Sequence, residues 1–123
     1  MNRILVIDDD VNVCRMLKRI FMLEGEYEMD MAHDGKTGLQ KFEQFNPRIV
    51  LLDVMMPGTD GIRTLMEIKR RDPEVGVIMI TALEDEALAK KALSLGAYEY
   101  LVKPFNAEYL KTVVMVKVMD YLD

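Results

Sequence analysis

Ile49-Val50-Leu51-Leu52-Asp53-Val54-Met55-Met56-Pro57-Gly58 is the stretch whose reading decides the fold. Its first four residues are apolar without alternation; Pro47 precedes them and a Pro-Gly pair follows. A short apolar run so bounded reads as a strand buried on both faces, the kind a parallel sheet contains. Asp53 then stands at its carboxyl end, where open parallel sheets keep their ligand crevices. Alone, such an acid reads more simply as a turn-former. A second apolar run, 4–7, leads just as abruptly into Asp8, Asp9 and Asp10, and the repetition moves the reading toward a site.

The remaining chain alternates between strand and helix patterns. Residues 3–7 form the first strand, and Asp10 is placed to cap a helix over 11–24. Val13, Met16, Leu17, Ile20 and Phe21 recur there at helical spacing as its core face, and Gly25 ends it. Residues 28–32 alternate as an edge strand does. Asp34-Gly35 is a turn signal before a helix over 36–45, with Leu39 and Phe42 inward and Asn46-Pro47 as its stop. After the strand to Asp53, Pro57-Gly58 and Asp60-Gly61 mark a loop. A third helix covers 62–71 with Ile62, Leu65, Met66 and Ile68 in its pattern, and an apolar strand covers 77–80 before Thr81-Ala82. A helix over 86–95 closes at Gly96, and a last strand over 98–102 meets Lys103-Pro104. Asn106 caps a final helix running toward Leu122. Strands alternating with helices through short connections predict an α/β fold, a doubly wound five-stranded parallel sheet with five helices. One domain is expected to fill residues 1–123, with no repeat or linker.

Composition narrows the class. Half the chain is hydrophobic, 30% is charged and the net charge is −5, which argues against a nucleic-acid surface. Cys14 is the only cysteine, so no disulfide framework is expected, and a reducing, cytoplasmic compartment is. No apolar run is long enough for a signal peptide or a membrane span. The eleven methionines are scattered and read as core filler.

In a parallel sheet all the carboxyl ends share one edge, which here receives Asp8, Asp9, Asp53, Thr81 and Lys103. If the first and third strands are neighbours, three carboxylates converge and repel unless a cation intervenes. Carboxylate oxygens with no His or Cys nearby suit Mg²⁺. A hydroxyl and an ammonium facing one carboxylate are built to stabilise a phosphoryl group, and Asp53 is the natural nucleophile. Thr81, taken alone, reads equally well as a helix cap. His33, the only histidine, reads as an exposed loop residue.

Asp8-Asp9 after the first strand, Asp53 with Met55-Met56-Pro57-Gly58 and Asp60-Gly61, Thr81-Ala82 and Lys103-Pro104-Phe105 together resemble the receiver domain of two-component response regulators. The resemblance covers the whole chain in order. It implies a flavodoxin-like sheet with strand order 2-1-3-4-5 and a phosphorylation-dependent signalling switch. It implies Asp53 as phosphoacceptor and Asp9, Asp53 and the Met55 carbonyl as Mg²⁺ ligands, with Asp8 acting on the metal through water. Thr81 and Lys103 match the phosphate-sensing hydroxyl and the phosphate-binding lysine, and Tyr100 the aromatic that changes rotamer. A sensor histidine kinase or phosphotransfer protein is then the implied donor, and the only catalysis expected is the chain's own phosphoryl transfer and dephosphorylation. The resemblance also supports a cis Lys103–Pro104 bond.

Other readings fit less well. A haloacid-dehalogenase-type phosphatase would use Asp8-x-Asp10, but Asn12 stands where that pattern wants Thr or Val, and Asp53 is left without a role. A flavodoxin needs a Ser-, Thr- and Gly-rich phosphate loop where three acids stand. A degenerate receiver would lack acidic or phosphate-binding positions that are all present. On the final helix, Leu110, Val114, Val118 and Tyr121 are expected to face the sheet. Tyr109, Val113, Met115, Val116, Met119 and Leu122 are then left on the flanks or outside. Such a stripe predicts either a wider core face or a contact surface, and the resemblance implies that a second copy or an output domain would use that surface.

Overall fold

The computed structural model describes residues 2–120; Tyr121 and Leu122 lie outside them. In chain order the elements are β1 (Asn2–Ile7), α1 (Val11–Met22), β2 (Tyr27–Ala32), α2 (Gly35–Phe45), β3 (Ile49–Leu52), β4 (Met55–Met56), β5 (Thr59–Asp60), α3 (Gly61–Arg71), β6 (Gly76–Thr81), α4 (Glu86–Ser94), β7 (Glu99–Val102) and α5 (Ala107–Asp120). Five strands form one sheet in the order β2-β1-β3-β6-β7, every pairing parallel. This is the expected order, with β4 and β5 as a small addition.

The lack of alternation in the central strands has a direct cause: both faces are covered. Leu5, Ile7, Val50, Leu52, Val77 and Met79 point to one layer, where Phe42 of α2, Leu65 and Ile68 of α3 and Ala92 of α4 meet them. Ile4, Val6, Ile49, Leu51, Ile78 and Ile80 point to the other, against α1 and α5. Each such side chain contributes roughly 1.5–3 kcal/mol on burial.

Each helix begins on an acid or amide that accepts from the first turn. Asp10 Oδ1 accepts from Asn12 and Val13, Asp34 from Thr37, Asp60 from Ile62 and Arg63, Asp85 from Leu88, and Asn106 from Tyr109. Asp34 and Asp60 are thus caps where the sequence suggested only turns. Among the described residues no helix is long and apolar enough to cross a membrane.

Several expectations are corrected. Met16 is 44% exposed, and Cys14 takes its place on the core face of α1 with Leu17 and Phe21. Met66 is also exposed, leaving Ile62, Leu65 and Ile68 as the buried apolar side of α3. On α5, Val113 is buried beside Leu110, Val114 and Val118, so the core face is wider than a single stripe. Helix α1 ends at Met22, and the last strand starts at Glu99 rather than at position 98. The loop after β3 contains an antiparallel hairpin pairing Met55 with Asp60 and Met56 with Thr59. Its turn is Pro57-Gly58, and Gly58 has φ +70, a conformation that favours glycine.

Candidate functional site

The sheet register assembles the site. Ile7 pairs with Leu52, so Asp8 and Asp53 leave adjacent strands at the same level. Met79 lies opposite Leu52 and Val102 opposite Thr81, which brings Thr81 and Lys103 to the same edge. The Lys103 main-chain N–H donates to the Thr81 carbonyl at 2.8 Å, and the Lys103–Pro104 bond is cis, as expected.

Lys103 Nζ lies 2.8 Å from Asp8 Oδ2 and 3.2 Å from Asp53 Oδ2, so one ammonium bridges two buried acids. Asp9 is exposed, yet a carboxylate oxygen from each of Asp8, Asp9 and Asp53 lies within 4.8 Å of the others. Burial pushes the Asp8 carboxyl above its ordinary value and the charge of Asp53 adds to this; hydrogen bonds from Lys103 and the Asp10 N–H pull it back without cancelling the rise. Burial alone would lower the Lys103 ammonium, but its hydrogen bond to Asp8 and the two carboxylate charges hold it above its usual range. Three acids facing one lysine leave surplus negative charge. That surplus and an all-oxygen donor set suit a hard divalent cation.

Local geometry holds the acids in place. Asp8 Oδ1 accepts from the Asp10 N–H at 2.9 Å, and Asp53 Oδ1 accepts from the Met55 N–H at 3.2 Å. Gly61 makes this possible on the α3 side: a Cβ there would lie 2.6 Å from the Val54 Cα and 2.7 Å from the Asp53 carbonyl oxygen. Any side chain at that position would push the start of α3 off the end of β3.

Thr81 is buried at the end of β6, and its Oγ1 accepts from the Leu83 N–H at 3.3 Å. Tyr100 is half-buried and its hydroxyl donates to the Leu83 carbonyl at 2.8 Å, so the two residues meet through Leu83. Met55 is 60% exposed. Together with Val54, Met56, Pro57, Leu83 and Leu88 it lines a shallow apolar groove beside the acids.

One expectation about this neighbourhood fails: a histidine and a cysteine are close by. His33 Nδ1 lies 2.9 Å from the main-chain oxygen of Asp8, and Cys14 Sγ lies 3.5 Å from the same oxygen. Neither joins the carboxylate cluster. Burial, with the nearby charges of Asp8 and Asp10, pushes the Cys14 thiol up to about 11. His33 stands 25 positions from Asp8 in the chain, and no local pattern announced the contact.

Comparison with known proteins agrees on one family. Residues 4–115 match the family described as "Response regulator receiver domain". The regulatory protein AtoC of Escherichia coli is 40% identical over 114 residues, covering 93% of this chain; the chain spans only 24% of AtoC's length. The chemotaxis protein CheY of Treponema pallidum is 41% identical over 106 residues, covering 85% of this chain and 74% of that protein. Among solved structures, the CheX–CheY–BeF3–Mg complex of Borrelia burgdorferi superposes with a TM-score of 0.87 at 37% identity, covering 94% of this chain and 87% of the matched one.

Proposed function

This chain belongs to the response regulator receiver family of phosphorylation-dependent signalling switches, and we propose that Asp53 is the residue that carries the phosphoryl group. The observation that supports this reading most is the bridge from Lys103 Nζ to Asp8 and Asp53 at the carboxyl edge of the sheet. A carboxylate oxygen of Asp53 attacks the phosphorus of a phosphohistidine on a sensor kinase or phosphotransfer protein, or of acetyl phosphate. The P–N or P–O bond breaks, the imidazole or acetate leaves with the electron pair, and an acyl phosphate remains on Asp53. Lys103 then pairs with one phosphoryl oxygen and the Thr81 hydroxyl donates to another, releasing the Leu83 N–H. Asp9, Asp53 and the Met55 main-chain carbonyl, with Asp8 beside them, would hold Mg²⁺, which supplies charge neutralisation for the acids and the incoming anion.

On this reading the chain acts as one receiver unit over 1–123 in the cytoplasm and catalyses only its own phosphorylation and dephosphorylation. Thr81 and Tyr100 pass the change to the face carrying β7 and α5, where a second copy or an output domain is read. Intact-mass measurement with acetyl phosphate tests the core of the proposal. One phosphoryl group is expected with Mg²⁺ and none in excess chelator or in Asp53→Asn. Equal labelling of Asp53→Asn removes Asp53 from the role.

A further inference from the structure

The parallel ladder between β1 and β2 ends one residue short of the acids, and a side chain continues it. Ile7 pairs with Ala32, and the Asp8 N–H donates to the Ala32 carbonyl at 3.0 Å. In a parallel ladder the next rung would run from the Asp34 N–H back to the Asp8 carbonyl. Here Asp34 has instead turned away to cap α2, with its side chain on the Thr37 N–H at 2.7 Å. The donor on the Asp8 carbonyl is the His33 imidazole, at 2.9 Å, with the weaker Cys14 thiol at 3.5 Å. A carbonyl oxygen only accepts, so His33 Nδ1 carries the hydrogen.

We infer that His33 is a positioning residue for the acidic turn: its Nδ1–H anchors the peptide from which the Asp8 and Asp9 carboxylates project toward the cation. The inference rests on the metal-binding reading given above. The anchoring itself is independent of any metal. Ligand carboxylates are oriented by the groups that hold their backbone, and loss of such a partner typically weakens metal affinity by tenfold or more. His33 is exposed on its outer side, so replacing it leaves the core intact.

Two variants separate the hydrogen bond from the ring. His33→Phe keeps an aromatic ring without the N–H, and His33→Asn keeps a donor at the Nδ1 position without the ring. Calorimetric titration with Mg²⁺ is expected to show about tenfold weaker binding for His33→Phe and binding within about twofold of wild type for His33→Asn. In metal-free protein the Asp10 amide, which donates to Asp8 Oδ1 at 2.9 Å, is expected to exchange about tenfold faster in His33→Phe only. Wild-type affinity and exchange in His33→Phe, or equal losses in the two variants, overturns the inference. A wild-type protein that takes up no Mg²⁺ overturns the metal reading instead, and the amide exchange then decides the role of His33 by itself.

Discussion

Asp8 is buried with a like charge beside it, and this sets how the metal-free protein responds to pH. Its folded pKa lies above the unfolded value near 3.8, so protonating it stabilises the fold. That contribution is fully present below about 3.8 and is lost as pH rises through the folded value. Replacing Asp8 by Asn removes the cost and still leaves Lys103 paired with Asp53, so no charge is orphaned. Asp8→Asn is therefore expected to melt above wild type in chelator once pH exceeds the folded value of Asp8, and each kcal/mol gained would appear as about 4 °C at this chain length. The gap should widen as pH rises from about 4 through the folded value of Asp8 and then stay level. A gap that narrows as pH rises contradicts this account. The groove residues Met55 and Leu83 bear on the proposed phosphoryl group at the same scale: if water reaches it past them, neither apolar side chain can orient that water. The phosphoryl group should decay slowly, and Met55→Asn with Leu83→Glu should speed the loss at least severalfold; an unchanged lifetime would count against a role for either residue.

At the scale of elements, α5 shows what periodicity conveys and what it leaves open. Leu110, Val113, Val114 and Val118 are buried against the sheet, whereas Tyr109, Met115, Val116 and Met119 are exposed. Val113 sits on the boundary, where a shift of a few tens of degrees in helix phase decides burial. The same ambiguity exchanged Met16 for Cys14 on α1. The exposed apolar side of α5 is the surface proposed for association on phosphorylation. Val116→Asp should change stability by no more than about 0.5 kcal/mol and prevent that association, while Val114→Asp, which buries a charge, should unfold the protein. Sedimentation with and without beryllofluoride, beside a thermal melt, checks both. If Val116→Asp is as destabilising as Val114→Asp, the side chain belongs to the core and the surface assignment falls.

Across the whole molecule, the crevice and β7, the edge strand beside α4, are joined through one residue, Leu83. Thr81 accepts from the Leu83 N–H, and Tyr100 donates to the Leu83 carbonyl. On the proposed reading, drawing the Thr81 hydroxyl to a phosphoryl oxygen would free that N–H and shift the balance of the β6–α4 connection. Such coupling can be no stronger than the difference in contacts between the two states. Tyr100→Phe removes one neutral hydrogen bond, worth about 1 kcal/mol. It should leave phosphorylation of Asp53 intact while weakening phosphorylation-dependent association roughly fivefold. Full retention of association in Tyr100→Phe would falsify the route through Leu83.

The sequence by itself determined the central strands, the Asp10 and Asn106 helix caps and the order in which acids, hydroxyl and ammonium reach one sheet edge. All of these are local signals: unalternated apolar runs between breakers, side chains that bond their own first turn, and polar residues directly after strands. Only the tertiary structure decided which face Cys14 and Val113 take, since helix phase is set by what the helix packs against. It also decided that Met55–Met56 and Thr59–Asp60 pair as a hairpin, for which two residues per strand leave no periodicity to read. The 2.8 Å contact between Lys103 and Asp8 spans 95 positions, and the His33 contact spans 25. Such distances are set by strand register and by where each connection turns, and those follow from burying both faces of the sheet at once.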